Sequence, residues 1–314
     1  MLDTDQSRII SHQSLDNSFE TTYQKTQSRI VALGDKPHVS VEKQLALLDQ
    51  LSQFSFGRFL LQNRGINGYW THAMLTHPWH RRNLGIDLQG KPLTPLEQFI
   101  LDKAPSMQAT QERFQIFLEQ NQTMVYPGAV LACVPCGLMG ELLYLQYDEA
   151  AKKTVRLVGV DFDAETLIQA EQLAEQQALS SVTHLLQCDA WSLNINSEWD
   201  LISSNGLNIY EPDTDQVIAL WHQFYAALKP NGRLVTSFLT PPPTLTKHCE
   251  WRLSQLNPND LLLQQILFMD IIDAKFQCYS TSEVIKSQLA SVGFKDITII
   301  YDSRRMFPTV IATK

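Results

Sequence analysis

The sequence predicts an α/β fold with a doubly wound, mostly parallel sheet of seven strands. Two observations carry this prediction. After residue 128, short apolar runs alternate with amphipathic helical patterns, as they do in parallel sheets covered by helices on both faces. Two final apolar runs, at 297–301 and 309–312, are joined by a loop too short for a crossover helix, so these strands must lie antiparallel.

The N-terminal third predicts helices. From Val41 onward, Leu and Phe recur at spacings of three and four residues, the period of an amphipathic helix. The segment Thr94–Glu97 reads as a capping box with proline at the first helical position, so a helix begins there. Residues 1 to about 40 are polar and predict an irregular or loosely docked helical arm. We therefore expect an all-helical cap at 1–120 and an α/β domain at 121–314.

The elements of the α/β domain follow in order. A last helix begins at the cap Ser280–Glu283, ends at Gly293 and leads into the two final strands. The second strand ends on Asp161, and a carboxylate there can accept hydrogen bonds from ribose hydroxyls beside a glycine turn. The parallel strands are predicted at about 129–134, 155–160, 182–187, 199–204 and 232–239, and the helices at about 138–147, 164–178 and 213–228.

Composition narrows the class of protein. With 44% hydrophobic and 18% charged residues, the 314-residue chain is typical of globular proteins. A net charge of -8 gives no basic surface for nucleic acid or an anionic membrane. No apolar run reaches the roughly 20 residues of a membrane span, and no signal-peptide pattern is visible. Five cysteines, an odd number, do not indicate a disulfide framework, so we expect a cytoplasmic protein. The oligomeric state is not predicted.

Several segments, in this order, resemble motifs of the class I S-adenosylmethionine-dependent methyltransferases, which have a Rossmann-like fold. Val130–Gly137 is similar to the first motif, whose glycine loop packs against the methionine part of the cofactor. Val158–Asp163 is similar to the second, so the resemblance implies that Asp161 holds the ribose and Phe162 flanks the adenine.

Three further segments extend the resemblance over about residues 122–314. Leu186–Trp191 is similar to the third motif, which would place Asp189 near the adenine amino group. Trp199–Gly206 is similar to the strand that delivers residues to the methyl group, and Leu228–Val235 to the turn into the fifth strand.

The resemblance implies S-adenosyl-L-methionine as the cofactor and a methyl transferase activity on a small-molecule acceptor. A helical cap encloses a small acceptor better than it admits a nucleic acid duplex. Because methyl transfer mainly requires alignment and exclusion of water, we assign no catalytic base and no metal. The predicted cofactor-binding residues are Pro135, Cys136, Gly137, Gly140, Asp161, Phe162, Asp189, Ala190, Trp191 and Asn205.

Two short segments are the candidates for the acceptor side of the site. Tyr69 and Trp70 lie in the loop-like, glycine-containing segment Arg64–His72, which suits a hinge over a ligand. Asn208 and Tyr210 follow the fourth strand, and open α/β sheets bind ligands beyond the carboxyl ends of their strands.

The first motif departs from the family pattern, which leaves other functions open. The family's first strand usually ends in an acidic residue followed by alternate glycines. Here Cys133 stands at the acidic position, Pro135 replaces the first glycine, and Gly140 comes one residue late. The main alternative is therefore a non-catalytic S-adenosylmethionine-binding or interaction protein. An NAD-linked oxidoreductase is a further alternative, although the G-x-G-x-x-G pattern is absent.

Some single residues have competing interpretations. Cys133 and Cys136 form a C-x-x-C pattern that a thioredoxin-like redox pair would also have, but packing is the favoured interpretation, and no second cysteine pair or histidine pair completes a zinc site. Asp189 suits a helix cap as well as an adenine contact. The histidines His72, His77 and His80 invite a metal or base role, and a structural role is favoured for each.

Overall fold

The computed structural model describes residues 18–275 and 278–314, and its contacts divide the chain into two compact units. The helical unit contains the described parts of 1–108 and 254–276. The α/β unit contains the described parts of 109–253 and 277–314. The polar arm predicted at 1–40 lies partly outside the described residues, and its described part contains a regular helix.

The described helices and strands follow the predicted order closely. The helices are α1 (Phe19–Leu33), α2 (Val41–Ser52), α3 (Ser55–Asn63), α4 (Gly68–His80), α5 (Pro95–Asp102), α6 (Pro105–Gln122), α7 (Gly140–Leu143), α8 (Glu149–Thr154), α9 (Ala164–Gln176), α10 (Thr214–Ala227), α11 (Pro258–Gln265) and α12 (Ser282–Val292). The strands are β1 (Val130–Cys133), β2 (Arg156–Asp161), β3 (Thr183–Gln187), β4 (Trp199–Ser204), β5 (Leu228–Ser237), β6 (Lys295–Ile300) and β7 (Thr309–Thr313).

In the helical unit, the capping box at α5 is confirmed. The Thr94 hydroxyl accepts a hydrogen bond from the Glu97 N–H at 3.2 Å, which satisfies one of the free N–H groups of the first turn. Leu48, Leu51 and Ile100 are fully buried and form part of the core that the three- and four-residue spacing predicts.

A late segment of the chain belongs to this helical unit, which the sequence did not predict. α11 continues into a π-helical turn, Ile266–Ile271, where Asp270 is buried. Its carboxylate accepts hydrogen bonds from Lys36 Nζ at 2.6 Å and from His38 Nε2 at 2.8 Å. Because these partners lie more than 230 residues earlier in the chain, no local pattern indicates the pairing.

The α/β unit contains a seven-stranded sheet in the order β3-β2-β1-β4-β5-β7-β6. β7 runs antiparallel to both β5 and β6, and the other pairs are parallel. The predicted fold class and its closing antiparallel strands are therefore confirmed. Apolar clusters cover both faces, one containing Trp221, Phe224 and Leu289 and the other containing Phe117 and Leu142.

One predicted helix, at 138–147, is wrong in its extent. α7 has only four residues, and a second short helix, α8, follows before β2. Met139, in the left-handed region at φ 59°, precedes α7. The Tyr147 hydroxyl donates to the carbonyl of Leu142 at 2.8 Å, so a side chain occupies an acceptor that a longer helix would pair internally.

Among the described residues, no helix combines the length and the apolar character that a bilayer crossing requires. The longest described helix, α6, has 18 residues and carries many polar side chains.

Replacing Gly232 with alanine should lower the free energy of unfolding by about 1–3 kcal/mol. A Cβ there would lie 2.8 Å from the carbonyl oxygen of Lys229 and 3.1 Å from that of Trp199, and backbone atoms cannot move without displacing β4 and β5. Urea denaturation followed by circular dichroism measures the change. Gly65→Ala is the matched control because its nearest atom lies 3.8 Å away, and equal midpoints for the two variants would contradict the prediction.

Candidate functional site

The loop after β1 is fixed to the strands on both sides of β1. The Val134 N–H donates to the Ser203 carbonyl of β4 at 2.9 Å, and the Cys136 N–H donates to the Val160 carbonyl of β2 at 2.7 Å. The loop also contains a cis peptide bond between Val134 and Pro135. These contacts place the candidate cofactor loop at the carboxyl ends of three neighbouring parallel strands, where open α/β sheets bind ligands.

Asp161 ends β2 with its carboxylate held against this loop. Its Oδ2 accepts the Gly137 N–H at 3.0 Å, and its Oδ1 accepts the Asp163 N–H at 3.1 Å. Two backbone donors therefore fix the orientation of a side chain that is only 6% exposed. The next residue, Phe162, is 55% exposed, so its ring is accessible at the same edge of the sheet.

The third motif combines a turn and a fixed indole ring. Asp189 Oδ1 accepts the Trp191 N–H at 3.0 Å and caps the short helical turn Ala190–Ser192, as the capping interpretation describes. The Trp191 indole N–H donates to the Gln216 carbonyl on α10 at 2.8 Å, which fixes the ring against that helix. The contact between Asp189 and adenine stays a prediction.

Glu141, which sequence reasoning missed, places a carboxylate beside the end of β1. Its Oε1 accepts a hydrogen bond from Asn205 Nδ2 at 2.7 Å, and its Oε2 accepts one from the Cys133 thiol at 3.5 Å. Asn121, on α6, donates to the Glu141 carbonyl at 3.2 Å and to Ser203 Oγ at 3.0 Å. The available signal in the sequence was a charged residue, Glu141, directly before Leu142 and Leu143.

Several buried polar atoms at this edge have no hydrogen-bond partner within the described part of the chain. Leaving such an atom unpaired costs about 1–3 kcal/mol, so a polar ligand that pairs them is favoured. Asn208 is one of the predicted acceptor-side residues, and Tyr210 lies two residues further along the same turn. The atoms are Arg113 Nε, Asn121 Oδ1, Asn205 Oδ1 and Asn208 Oδ1.

Gly140 serves packing in this structure. A Cβ at Gly140 would lie 3.3 Å from the Phe114 ring and 3.4 Å from the Tyr144 ring, so protein side chains occupy the space beside it. Gly137, in the left-handed region at φ 48°, is the glycine whose N–H contacts Asp161.

The two cysteines of the C-x-x-C pattern are free and buried. Burial raises the pKa of both thiols well above the ordinary value, and the neighbouring carboxylates of Glu141 and Asp161 raise them further. Because the thiolate is the reactive form, these side chains are poor nucleophiles and poor redox groups. The geometry favours the packing interpretation.

In the helical unit, Tyr69 and Trp70 occupy the first turn of α4, so the segment predicted as a loop is helical from Gly68 onward. The physical reason is the Asn67 cap, whose side chain accepts the Trp70 N–H at 3.0 Å. Trp70 stacks on Phe56 with ring centroids 5.0 Å apart. The acceptor-side role of both residues stays a prediction.

A small pocket lies within the helical unit, and Trp70, His77 and Glu97 are among the residues that line it. Burial, followed by the charge of Asp87, raises the pKa of Glu97 to about 7. His77 contacts the Asp102 carboxylate at 3.1 Å, while burial lowers its pKa.

Burial also lowers the pKa of His72 to about 4, which keeps this side chain neutral at physiological pH. In the described residues, no group of three or more His, Cys, Asp or Glu side chains is arranged to hold a metal ion.

The order and directions of the seven strands are those of the class I S-adenosylmethionine-dependent methyltransferases, so the fold that the resemblance implied is confirmed. The chain is similar to a crystal structure of a protein from Bordetella parapertussis described as a possible exported protein. The two are 40% identical over 94% of this chain and 95% of that one, with a TM-score of 0.86. This chain therefore belongs to the same family as the Bordetella protein.

Two other solved structures show lower similarity. Magnesium protoporphyrin IX methyltransferase from Synechocystis, solved with S-adenosylhomocysteine, is 15% identical over 78% of this chain and 98% of that one, with a TM-score of 0.48. An S-adenosylmethionine-dependent methyltransferase from Mesorhizobium loti is 16% identical over 64% and 98%, with a TM-score of 0.46. These values are too low to transfer an activity. No protein-family model and no curated protein matches the chain.

Cys133 and Cys136 should resist alkylation by iodoacetamide at pH 7.5 in the folded protein, because both thiols are buried and protonated. Mass spectrometry of the modified peptides measures the rate at each site. The partly exposed Cys188, Cys249 and Cys278 serve as internal controls and should react first. Rapid labelling of Cys133 or Cys136, or a disulfide between them at cytosolic redox potential, would support the redox interpretation instead.

Proposed function

We propose that this protein is an S-adenosyl-L-methionine-dependent methyltransferase that acts on a small-molecule acceptor. The observation that carries the proposal is the contact between the Gly137 N–H and the Asp161 carboxylate, because it joins the loop after β1 to the acidic end of β2. The two parts of a nucleoside-binding edge thereby lie within hydrogen-bond distance of each other.

The residues present fit the proposed cofactor. Asp161, oriented by two backbone donors, would bind the ribose hydroxyls, and the exposed Phe162 ring would cover the adenine. Glu141, beside the loop after β1, provides negative charge that would suit the ammonium group at the amino acid end of the cofactor. The unpaired Asn205 Oδ1 is a further acceptor at this edge.

S-adenosylmethionine supplies a methyl group activated by its positively charged sulfur. The chain's own contribution is to orient the acceptor and to exclude water, because effective alignment alone lowers the barrier by several kcal/mol. Asn208, on the turn after β4, is buried with its Oδ1 unpaired, which suits a hydrogen bond from an acceptor N–H or O–H. Burial raises the pKa of Tyr210, so its hydroxyl stays protonated and can donate to an acceptor oxygen.

The non-catalytic alternative is supported by the departures in the first motif. Pro135 removes one backbone donor from the loop, and Cys133 replaces the usual acidic residue. A protein that binds S-adenosylhomocysteine but shows no methyl transfer to any acceptor in a broad screen would favour this alternative.

We propose that the protein is cytoplasmic, because its five cysteines, an odd number, do not indicate a disulfide framework. The description of the Bordetella relative as a possible exported protein points the other way, and subcellular fractionation distinguishes the two.

Asp161→Asn should weaken binding of S-adenosylhomocysteine by roughly 1.5–3 kcal/mol, because the variant loses charge-assisted hydrogen bonds. Isothermal titration calorimetry measures the affinity for S-adenosylhomocysteine. A separate titration measures the affinity for NAD, the cofactor of the oxidoreductase alternative. Asp163→Asn is the matched control, since Asp163 caps α9 two residues further on and asparagine also caps helices. Equal affinity in the Asp161 variant and the wild type, or tighter binding of NAD, would contradict the proposal.

We propose that Tyr69 and Trp70 contact bound ligands, so the segment Gly65–Trp70 should exchange its amide hydrogens more slowly when S-adenosylhomocysteine binds. Hydrogen exchange followed by mass spectrometry on the full chain measures this. Deleting residues 1–120 is a poor test, because Asp270 would lose its partners Lys36 and His38. The α1 segment Phe19–Leu33 serves as the internal control. Unchanged exchange at Gly65–Trp70 would limit this segment to a packing role.

A further inference from the structure

Arg113, on α6, has a buried positive charge with few partners. The side chain is 5% exposed, and Nη1 donates to Ser237 Oγ at 3.3 Å. Nε has no partner, and no carboxylate lies within 4.0 Å of the guanidinium in the described part of the chain. Burying an ion without a paired counter-ion is expensive, so this arrangement needs a reason beyond packing.

The surroundings hold the guanidinium at the carboxyl ends of β4 and β5. Ser237 is the last residue of β5, and Gly206 lies just after β4. A Cβ on Gly206 would lie 2.9 Å from the Ile209 side chain and 3.5 Å from Arg113 Nη1, which places the guanidinium beside this glycine. The Phe307 ring lies 4.8 Å from Arg113 Cζ and fixes one face of the group.

The nearby carboxylates are engaged elsewhere. Asp302 accepts hydrogen bonds from the N–H groups of Arg304, Met306 and Phe307. Glu141 accepts from Asn205 and from Cys133. Burial lowers the pKa of Arg113 to about 10, which leaves it charged at neutral pH. Among the described residues, the cation therefore has no carboxylate in direct contact.

We propose that Arg113 binds a carboxylate group of the methyl acceptor. The inference rests on the proposed function and names the class of acceptor. A planar carboxylate matches a guanidinium whose Nε is unpaired, and such pairs are among the strongest hydrogen-bonded contacts in proteins. The acceptor is the favoured source because the Arg113 guanidinium lies at the ends of β4 and β5. This position is two to three strands, or about 10–14 Å, from β2, where Asp161 would hold the ribose.

The cofactor also carries a carboxylate, on its amino acid end, so the test must separate the two sources. S-adenosylhomocysteine has this group, and methylthioadenosine lacks it. Arg113→Gln should leave the affinity for both compounds within a few fold of the wild type. A variant that loses affinity for S-adenosylhomocysteine alone assigns Arg113 to the cofactor and overturns the proposal.

A second experiment tests whether Arg113 binds the carboxylate of an acceptor. It uses benzoate and its uncharged counterpart benzamide as probes, on protein saturated with S-adenosylhomocysteine. Saturation-transfer NMR should detect benzoate in preference to benzamide. Arg113→Gln should weaken benzoate binding roughly tenfold to a hundredfold, and Arg113→Lys should weaken it less. Arg156→Gln, at an exposed position at the start of β2, is the matched control. Equal binding of both probes, or of benzoate to wild type and Arg113→Gln, overturns the proposal.

A stability measurement separates ligand binding from a structural role. If Arg113 lacks a counter-ion in the ligand-free protein, Arg113→Met should keep the urea midpoint or raise it. A large fall in the midpoint would show that the guanidinium supports the fold and would overturn the inference. Failure of the wild type to bind S-adenosylhomocysteine would instead refute the proposed function, and the benzoate arm, repeated without it, would then test the carboxylate site alone.

Discussion

The candidate site depends on one contact, between the backbone N–H of Gly137 and the carboxylate of Asp161. A carboxylate at the end of a buried strand needs donors, because it loses its water on burial. The loop after β1 supplies one, and the Asp163 N–H supplies another. The loop in turn keeps its position through Cys136 and Val160. The departures in the first motif therefore leave the geometry between β1 and β2 intact, since this geometry depends on backbone donors that the side chains at 133 and 135 do not provide.

A carboxylate from another element lies beside Cys133, the residue that stands at the acidic position of the first motif. Glu141 reaches the Cys133 thiol from α7, while Asn205 holds its other oxygen. Glu141 follows Gly140, the first residue of α7, where a Cβ would lie 3.3 Å from the Phe114 ring and 3.4 Å from the Tyr144 ring. Gly140, the short α7 and the buried Glu141 thus form one local arrangement beside Cys133.

The strands could be predicted from the sequence because their signals are local. Apolar runs such as Leu157–Val160, bounded by polar residues, mark a buried strand without knowledge of its neighbours. The site could be predicted only where a residue follows such a strand directly, as Asp161 and Asn205 do. Glu141 and Arg113 gain their meaning from partners on other elements, and Asp270 pairs with residues more than 230 positions away. Periodicity carries no information about contacts of this kind.

Buried polar atoms without partners among the described residues gather at the carboxyl ends of the strands, beside the candidate site. The face covered by α10 and α12 is filled by Trp221, Phe224 and Leu289, large side chains that are fully buried. The opposite face, towards α6, becomes polar at the strand ends, where Asn121 and Arg113 leave buried atoms unpaired. Leaving several such atoms unpaired destabilises a fold by a few kcal/mol in total, an appreciable part of the stability of an ordinary domain. A sequence under selection for stability alone would replace them with apolar residues. Their retention at the carboxyl ends of the parallel strands is what a site that pairs its polar atoms with ligands requires.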